Sequence, residues 1–231
     1  MRIAMWSGPR NLSTAMMYSF AARDDCRVVD EPFYAAYLAE TGLEHPMRSE
    51  ILASQPMNSA DVITKLAAPS DLAIQYEKHM AQHMVPGVDR GWLRDVRNVF
   101  LIRHPARVIA SYAAKRENPA PDDLGFRQQA ELFDLAEDPI VIDSHDIRED
   151  PEELLTRLCN ALGIGFQRAM LGWQAGGRPE DGVWAAHWYG AVHRSTGFAG
   201  PEQDLPAVKG PLGSVLKAAL PHYERLKGHK L

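Results

Sequence analysis

A three-layer α/β fold, with a central parallel sheet flanked by helices, is predicted by two features of the chain. Five short β-type runs alternate with helix-length segments along 231 residues, and the first run leads through a glycine-containing turn straight into an apolar, helix-compatible stretch. Alternation of this kind builds parallel strands joined by helical crossovers. The strand runs are 3–5, 27–29, 72–76, 99–102 and 140–142. A turn over 117–125 leads into a helix that starts near Asp122 or Asp123, each a suitable N-cap. Residues 151–162 read as a helix with Pro151 in its first turn, and a last helix spans about 211–226. Residues 41–60, broken by Gly42, Pro46 and Pro56, read as an irregular, partly helical excursion at the mouth of a site. Residues 172–213 read as short helices within a long loop.

Length and charge bound the function. The chain suffices for one well-cored domain over 1–231, with no second domain expected. A net charge of -5 gives no general affinity for nucleic acid, so any anion site must be a local group of arginines. Cys26 and Cys159 lie far apart and outside any C-x-x-C pair, and read as buried free thiols. The N-terminal residues lack the pattern of a signal peptide, and the chain has no 18-residue apolar stretch; a cytoplasmic protein without a membrane partner is expected.

In parallel α/β sheets, ligands sit beyond the carboxyl ends of the strands, which selects residues 7–14, 30–32, 77–79 and 103–105. The first stretch is a phosphate cradle. Gly8 permits the turn, the N-terminus of the following helix leaves backbone N–H groups for an anion, Arg10 adds a positive charge, and Ser13 and Thr14 add hydroxyls. The ATP-binding loop G-x-x-x-x-G-K-[ST] is not matched, because Leu12 and not lysine precedes Ser13. A second anion site follows the fourth strand. Arg103 leaves the strand end and Ser111 lies eight residues on, after a rise of roughly 9 Å along a helix, so that both can hold one phosphate.

This order of motifs resembles the sulfotransferases that use 3′-phosphoadenosine-5′-phosphosulfate (PAPS), their bacterial members in particular, whose fold is of the P-loop type. The resemblance implies that Gly8, Arg10, Asn11, Leu12, Ser13 and Thr14 bind the 5′-phosphosulfate, and that Arg103 and Ser111 bind the 3′-phosphate. The Asn11-Leu12 pair departs from the small residues usual in that loop and sets a leucine side chain beside the phosphate. A late basic-to-glycine loop of the family is similar in outline to residues 193–198, which makes Arg194 a further candidate for the nucleotide. Trp184 and Trp188 share a helix face and read as core packing.

Sulfuryl transfer needs cations on the transferred group and a base for the acceptor proton. Arg10 is the candidate for the first role. Glu31, after the second strand, and His79, read as following the third, compete for the second, with an ion pair to Arg10 or Arg103 as the structural alternative for Glu31. Lys78 is placed to touch the sulfate. The implied reaction moves a sulfuryl group from PAPS, as co-substrate and without a metal, to a hydroxyl or amine of a small-molecule or carbohydrate acceptor. Two other readings stay open: a catalytically inactive nucleotide-binding protein of the same fold, and an ATP-dependent phosphotransferase in which Asp30 would hold the metal. Acceptor identity and oligomeric state, a homo-oligomer included, are not encoded in any readable motif.

Overall fold

Five strands form one sheet in the order β2-β3-β1-β4-β5, with every neighbouring pair parallel. They are β1 (Arg2–Ser7), β2 (Cys26–Asp30), β3 (Ile74–Met80), β4 (Arg97–Ile102) and β5 (Ile140–Asp143). The computed structural model describes residues 1–114 and 119–231. Its helices are α1 (Ser13–Ala21), α2 (Tyr34–Thr41), α3 (Arg48–Ser54), α4 (Ser59–Leu66), α5 (Pro105–Ala113), α6 (Phe126–Leu135), α7 (Ser144–Glu149), α8 (Pro151–Leu162), α9 (Ala185–Trp188), α10 (Gly190–His193) and α11 (Leu212–Lys227).

Strand alternation sorts the core into two layers. Ile3 and Met5 of β1 join Val99 and Leu101 of β4 in a cluster completed by Met16, Phe20 and the leucines of α8. Ala4 and Trp6 face the other way, with Phe100, Ile102 and apolar residues of α5, α6 and α11. The helix ends follow local chemistry. Asp150 caps α8 by accepting from the Glu153 N–H at 3.0 Å, Pro151 fills the first position, and left-handed Gly163 ends the helix. His104 caps α5 by accepting from the Ala106 N–H at 3.2 Å, with Pro105 next.

Two expectations are corrected. The third strand does not end at Tyr76 but runs on to Met80, and each of its seven residues is buried. Glu77, Lys78 and His79 look like a polar strand exit. They stay inside the sheet because each is paired: Glu77 with Arg2 at 2.7 Å, His79 with Glu77 at 3.0 Å, and Lys78 with Asp30 at 2.9 Å. The helix expected from Asp122 or Asp123 is instead a short 3-10 turn, Pro121–Leu124, and α6 starts after left-handed Gly125. Residues 117 and 118 of that predicted turn lie outside the described residues.

Candidate active site

The loop from β1 to α1 closes tightly. Gly8 is buried, and a Cβ on it would lie 2.3 Å from the carbonyl oxygen of Leu124, so a side chain is excluded by close approach of the backbone. Arg10 (φ 59°) and Leu12 (φ 51°) are both left-handed, a conformation that favours glycine. Leu12 thus occupies a glycine-like position and keeps its side chain, which packs against the core. It is the N-cap of α1 and makes no side-chain cap bond, so the first turn keeps its N–H groups uncapped by any side chain. Asn11 is anchored from below by donating to the Leu101 carbonyl at 2.6 Å.

The residues of the two expected anion sites meet in the structure. Arg10 Nε donates to Ser111 Oγ at 2.9 Å, and Arg103 Nη1 donates to the Arg10 carbonyl at 2.6 Å, across 101 and 93 residues of sequence. Burial, and then the neighbouring positive charge of Arg103, hold the Arg10 guanidinium below its usual pKa. Two neighbouring cations and a serine hydroxyl are a set of groups that can receive an anion. Arg194 is not part of it: its side chain is exposed, its Nη1 lies over Gly190, and it does not line the cavity.

Beside the loop stands a buried charge cluster. Lys78 Nζ donates to Asp30 Oδ1 at 2.9 Å, to Glu31 Oε1 at 2.6 Å and to the Tyr189 hydroxyl. The same hydroxyl lies 2.8 Å from Asp30 Oδ1 and 3.1 Å from Glu31 Oε1, and it accepts from Trp184 Nε1 at 2.9 Å. Burial pushes the Lys78 ammonium down, but its two carboxylates outweigh burial and raise its pKa. One lysine cannot offset two acids. Burial, aided by the charge of Asp30, therefore outweighs Lys78 at Glu31 and raises that carboxyl above the usual range. Glu31 sits at φ 37°, a strained left-handed backbone for a glutamate. Its ionic partner is Lys78, not Arg10 or Arg103.

His79 does not join this cluster. Its residue parity in β3 places it on the opposite face from Lys78, 1% exposed and stacked on Trp6 with ring centroids 4.4 Å apart. It does not line the cavity. Asp30 is likewise spent within the fold, since its second oxygen accepts the Gly182 N–H at 3.0 Å.

A cavity of about 300 Å³ joins these parts. Arg10, Arg103 and Ser111 line one region, Glu31, Lys78 and Tyr189 another, and Tyr34, His45, His83 and Trp188 a third. The excursion over 41–60 delivers His45, whose side chain bonds to that of Tyr34, the first residue of α2, at 2.9 Å. His83, on the turn after β3, is stacked between Tyr34 and Tyr37 with both centroid distances 4.7 Å.

A sequence profile of the sulfotransferase domain matches residues 1–230. The chain belongs to the sulfotransferase domain family. Among curated relatives, two Arabidopsis thaliana proteins, branched-chain-amino-acid aminotransferase-like proteins 1 and 2, are 38% and 36% identical to it, each over 98% of this chain. The chain spans about two fifths of the length of these relatives, 42% and 41%. Its fold is similar to that of the sulfotransferase domain from the curacin biosynthetic pathway (TM-score 0.59, 15% identity, 96% of each chain covered). It is also similar to the sulfotransferase domain of the Synechococcus PCC 7002 olefin synthase (TM-score 0.54, 19% identity, 94% of each chain covered). Among the described residues no helix is long and apolar enough to cross a membrane.

In this sulfotransferase domain, His83, His45, Tyr34 and Tyr189 are among the cavity residues that sequence reasoning passed over as site residues, and Trp188, read as core packing, also lines the cavity. Tyr189 stood within a visible aromatic and cationic run, whereas His83 lies in Met80-Ala81-Gln82-His83, where no spacing marks it. Burial, and the nearby positive charge of His45, Lys78 and His79, push the His83 imidazole well below its usual pKa. The unfolded chain, with a histidine pKa of about 6.5, therefore binds more protons than the folded one, and stability declines as pH falls below that value. Thermal melts between pH 7.5 and 5.5 should show this decline, and His83→Phe, which keeps a ring between the two tyrosines, should flatten it. An unchanged slope in the variant would assign the pH dependence elsewhere.

Proposed function

We propose that this domain transfers a sulfuryl group from PAPS to a hydroxyl or amine on a small-molecule or carbohydrate acceptor. The observation that carries the reading is the bonding of Arg10 to Ser111 and of Arg103 to the Arg10 backbone, which joins a 5′-phosphate loop and a 3′-phosphate clamp in one cavity. In this reading Gly8, Asn11, Leu12, Ser13 and Thr14 form the cradle for the 5′-phosphosulfate, with the uncapped first turn of α1 directed to its oxygens. Arg10 neutralises charge gathering on the bridging and equatorial oxygens. Arg103 and Ser111 bind the 3′-phosphate.

Glu31 is the base. The acceptor oxygen or nitrogen forms a bond to sulfur while the bond from sulfur to the 5′-phosphate oxygen breaks. The bisphosphate leaves with that electron pair, and the acceptor proton passes to Glu31. A raised carboxyl pKa suits this step, since it brings the base closer to the working pH. Lys78 and Tyr189 position the Glu31 carboxylate.

Calorimetry with adenosine 3′,5′-bisphosphate and with ATP plus magnesium tests the donor. Magnesium-independent binding of the bisphosphate is expected, and Arg103→Ala should weaken it by about tenfold or more while costing adenosine 5′-phosphate far less. Equal losses for the two nucleotides would remove Arg103 from the 3′-phosphate, and ATP binding that requires magnesium would favour a phosphotransferase. The engagement of Glu31 by Lys78 favours one other reading, a nucleotide-binding protein without transfer activity. A bisphosphate-binding chain that sulfates no member of a broad acceptor panel would establish that reading instead.

A further inference from the structure

The late loop places a carboxylate against Arg103, where Arg107 and Arg148 also converge. Glu202, its side chain 1% exposed, is held by three arginines. Arg103 donates to Glu202 Oε1 from Nη2 at 2.5 Å and from Nε at 3.1 Å. Arg107 Nε lies 2.8 Å from Oε2, and Arg148 Nη1 donates to Oε1 at 3.1 Å. The backbone on either side is tied to the same cations: Arg148 Nε donates to the Gly200 carbonyl at 2.7 Å, and Arg107 Nη2 donates to the Gln203 carbonyl. Burial pushes the Glu202 carboxyl up, but the arginines outweigh it and hold it below its usual range.

Three guanidinium groups around one carboxylate leave two positive charges in excess. The fork edge of Arg103, Nε with Nη2, is the edge that grips a phosphate bidentately, and here it is occupied by Glu202. A phosphate monoester carries about -1.5 to -2 charge near neutral pH, so it answers three arginines better than one carboxylate does. We propose that Arg103, Arg107 and Arg148 form a phosphate-monoester site that Glu202 occupies in the ligand-free chain, and that the 3′-phosphate of the nucleotide displaces Glu202 and frees the loop around it. The proposal rests on the assignment of Arg103 to the 3′-phosphate made above, and it adds Arg107, Arg148 and an exchange of one anion for another.

The exchange predicts different behaviour for two nucleotides. Adenosine 3′,5′-bisphosphate must expel Glu202, whereas adenosine 5′-phosphate has no group to put in its place. By calorimetry, Glu202→Gln should bind the bisphosphate about tenfold more tightly, the effect of removing one charge-assisted competitor, and should bind adenosine 5′-phosphate as the wild type does. In the wild type, a glutamate-specific protease should cut after Glu202 faster when the bisphosphate is added and no faster with adenosine 5′-phosphate. This second measurement needs no variant to fold. Weaker bisphosphate binding by Glu202→Gln would make Glu202 a positioning residue for Arg103 and overturn the exchange, as would cleavage that the bisphosphate slows or leaves unchanged. Those outcomes spare the donor assignment. Failure of the wild type to bind the bisphosphate at all would overturn both.

Discussion

Lys78→Met is expected to lower the stability of the domain by about 3–5 kcal/mol, the cost of leaving buried charge without its partner. Lys78 is 1% exposed, and the side chains of Asp30 and Glu31 are 1% and 10% exposed. Methionine keeps the length and most of the volume of lysine, so the packing change is small and the loss reports the charge. Among the described residues, the two carboxylates would then share a pocket without a cation, with the hydroxyl of Tyr189 and the Gly182 N–H left as donors to the Asp30 side chain. Urea unfolding at neutral pH measures the effect, and Asp30→Asn added to Lys78→Met should recover part of it because one of the two stranded charges is gone. A loss below about 1 kcal/mol, the range of an exposed ion pair, would show that the cluster is solvated and not a buried unit.

Glu31→Gln should reduce sulfuryl transfer by about 10²–10⁴-fold, the contribution of one positioned base, with bisphosphate binding retained. The amide keeps the shape of the side chain and its ability to accept from Lys78, whose charge stays matched by Asp30. The pH profile carries the sign. Burial holds the Glu31 carboxyl above its usual range, and a base must be ionised to work, so the wild-type rate climbs as pH rises through that elevated value. The variant should lose this limb. Sulfated product measured across the pH range with an accepted substrate decides it, and a variant that keeps both rate and limb would remove Glu31 from proton transfer.

Much of the scaffold was legible because its signals are local. The strand-turn-helix at residues 2–21, the proline at the start of α8 and the span from Arg103 to Ser111 are each written within about twenty consecutive residues or fewer. What depended on distant partners was not. A polar run at Glu77-Lys78-His79 reads as the end of a strand unless Arg2, Asp30 and Glu31 are known to meet it. Moving the strand end from Tyr76 to Met80 sorts its last residues onto the two faces of the sheet, which is why His79 belongs to the core beside Trp6 and Lys78 to the cavity. Arg194 was singled out by a short basic-to-glycine spacing, yet the late loop turns it outward and brings in Glu202, a residue without a motif. Leu12 looked like a departure from a glycine-rich loop. Its backbone is left-handed, as glycine readily is, with the strain accepted and the partly buried side chain packed against the core at the edge of the cavity.

The bond from Tyr189 to Asp30 spans 159 residues, and that distance governs when the site comes into being. During synthesis the loop between β1 and α1 leaves the ribosome long before the segment that completes the charge cluster. Pairings this remote in sequence close late and slowly, after the entropy of the intervening chain has been spent. Lys78, Asp30 and Glu31 gain the Tyr189 hydroxyl, itself held by Trp184, only when that later segment docks. The loop after β1 waits in the same way for Leu101, Ser111 and Leu124, which hold Asn11, Arg10 and Gly8 in place.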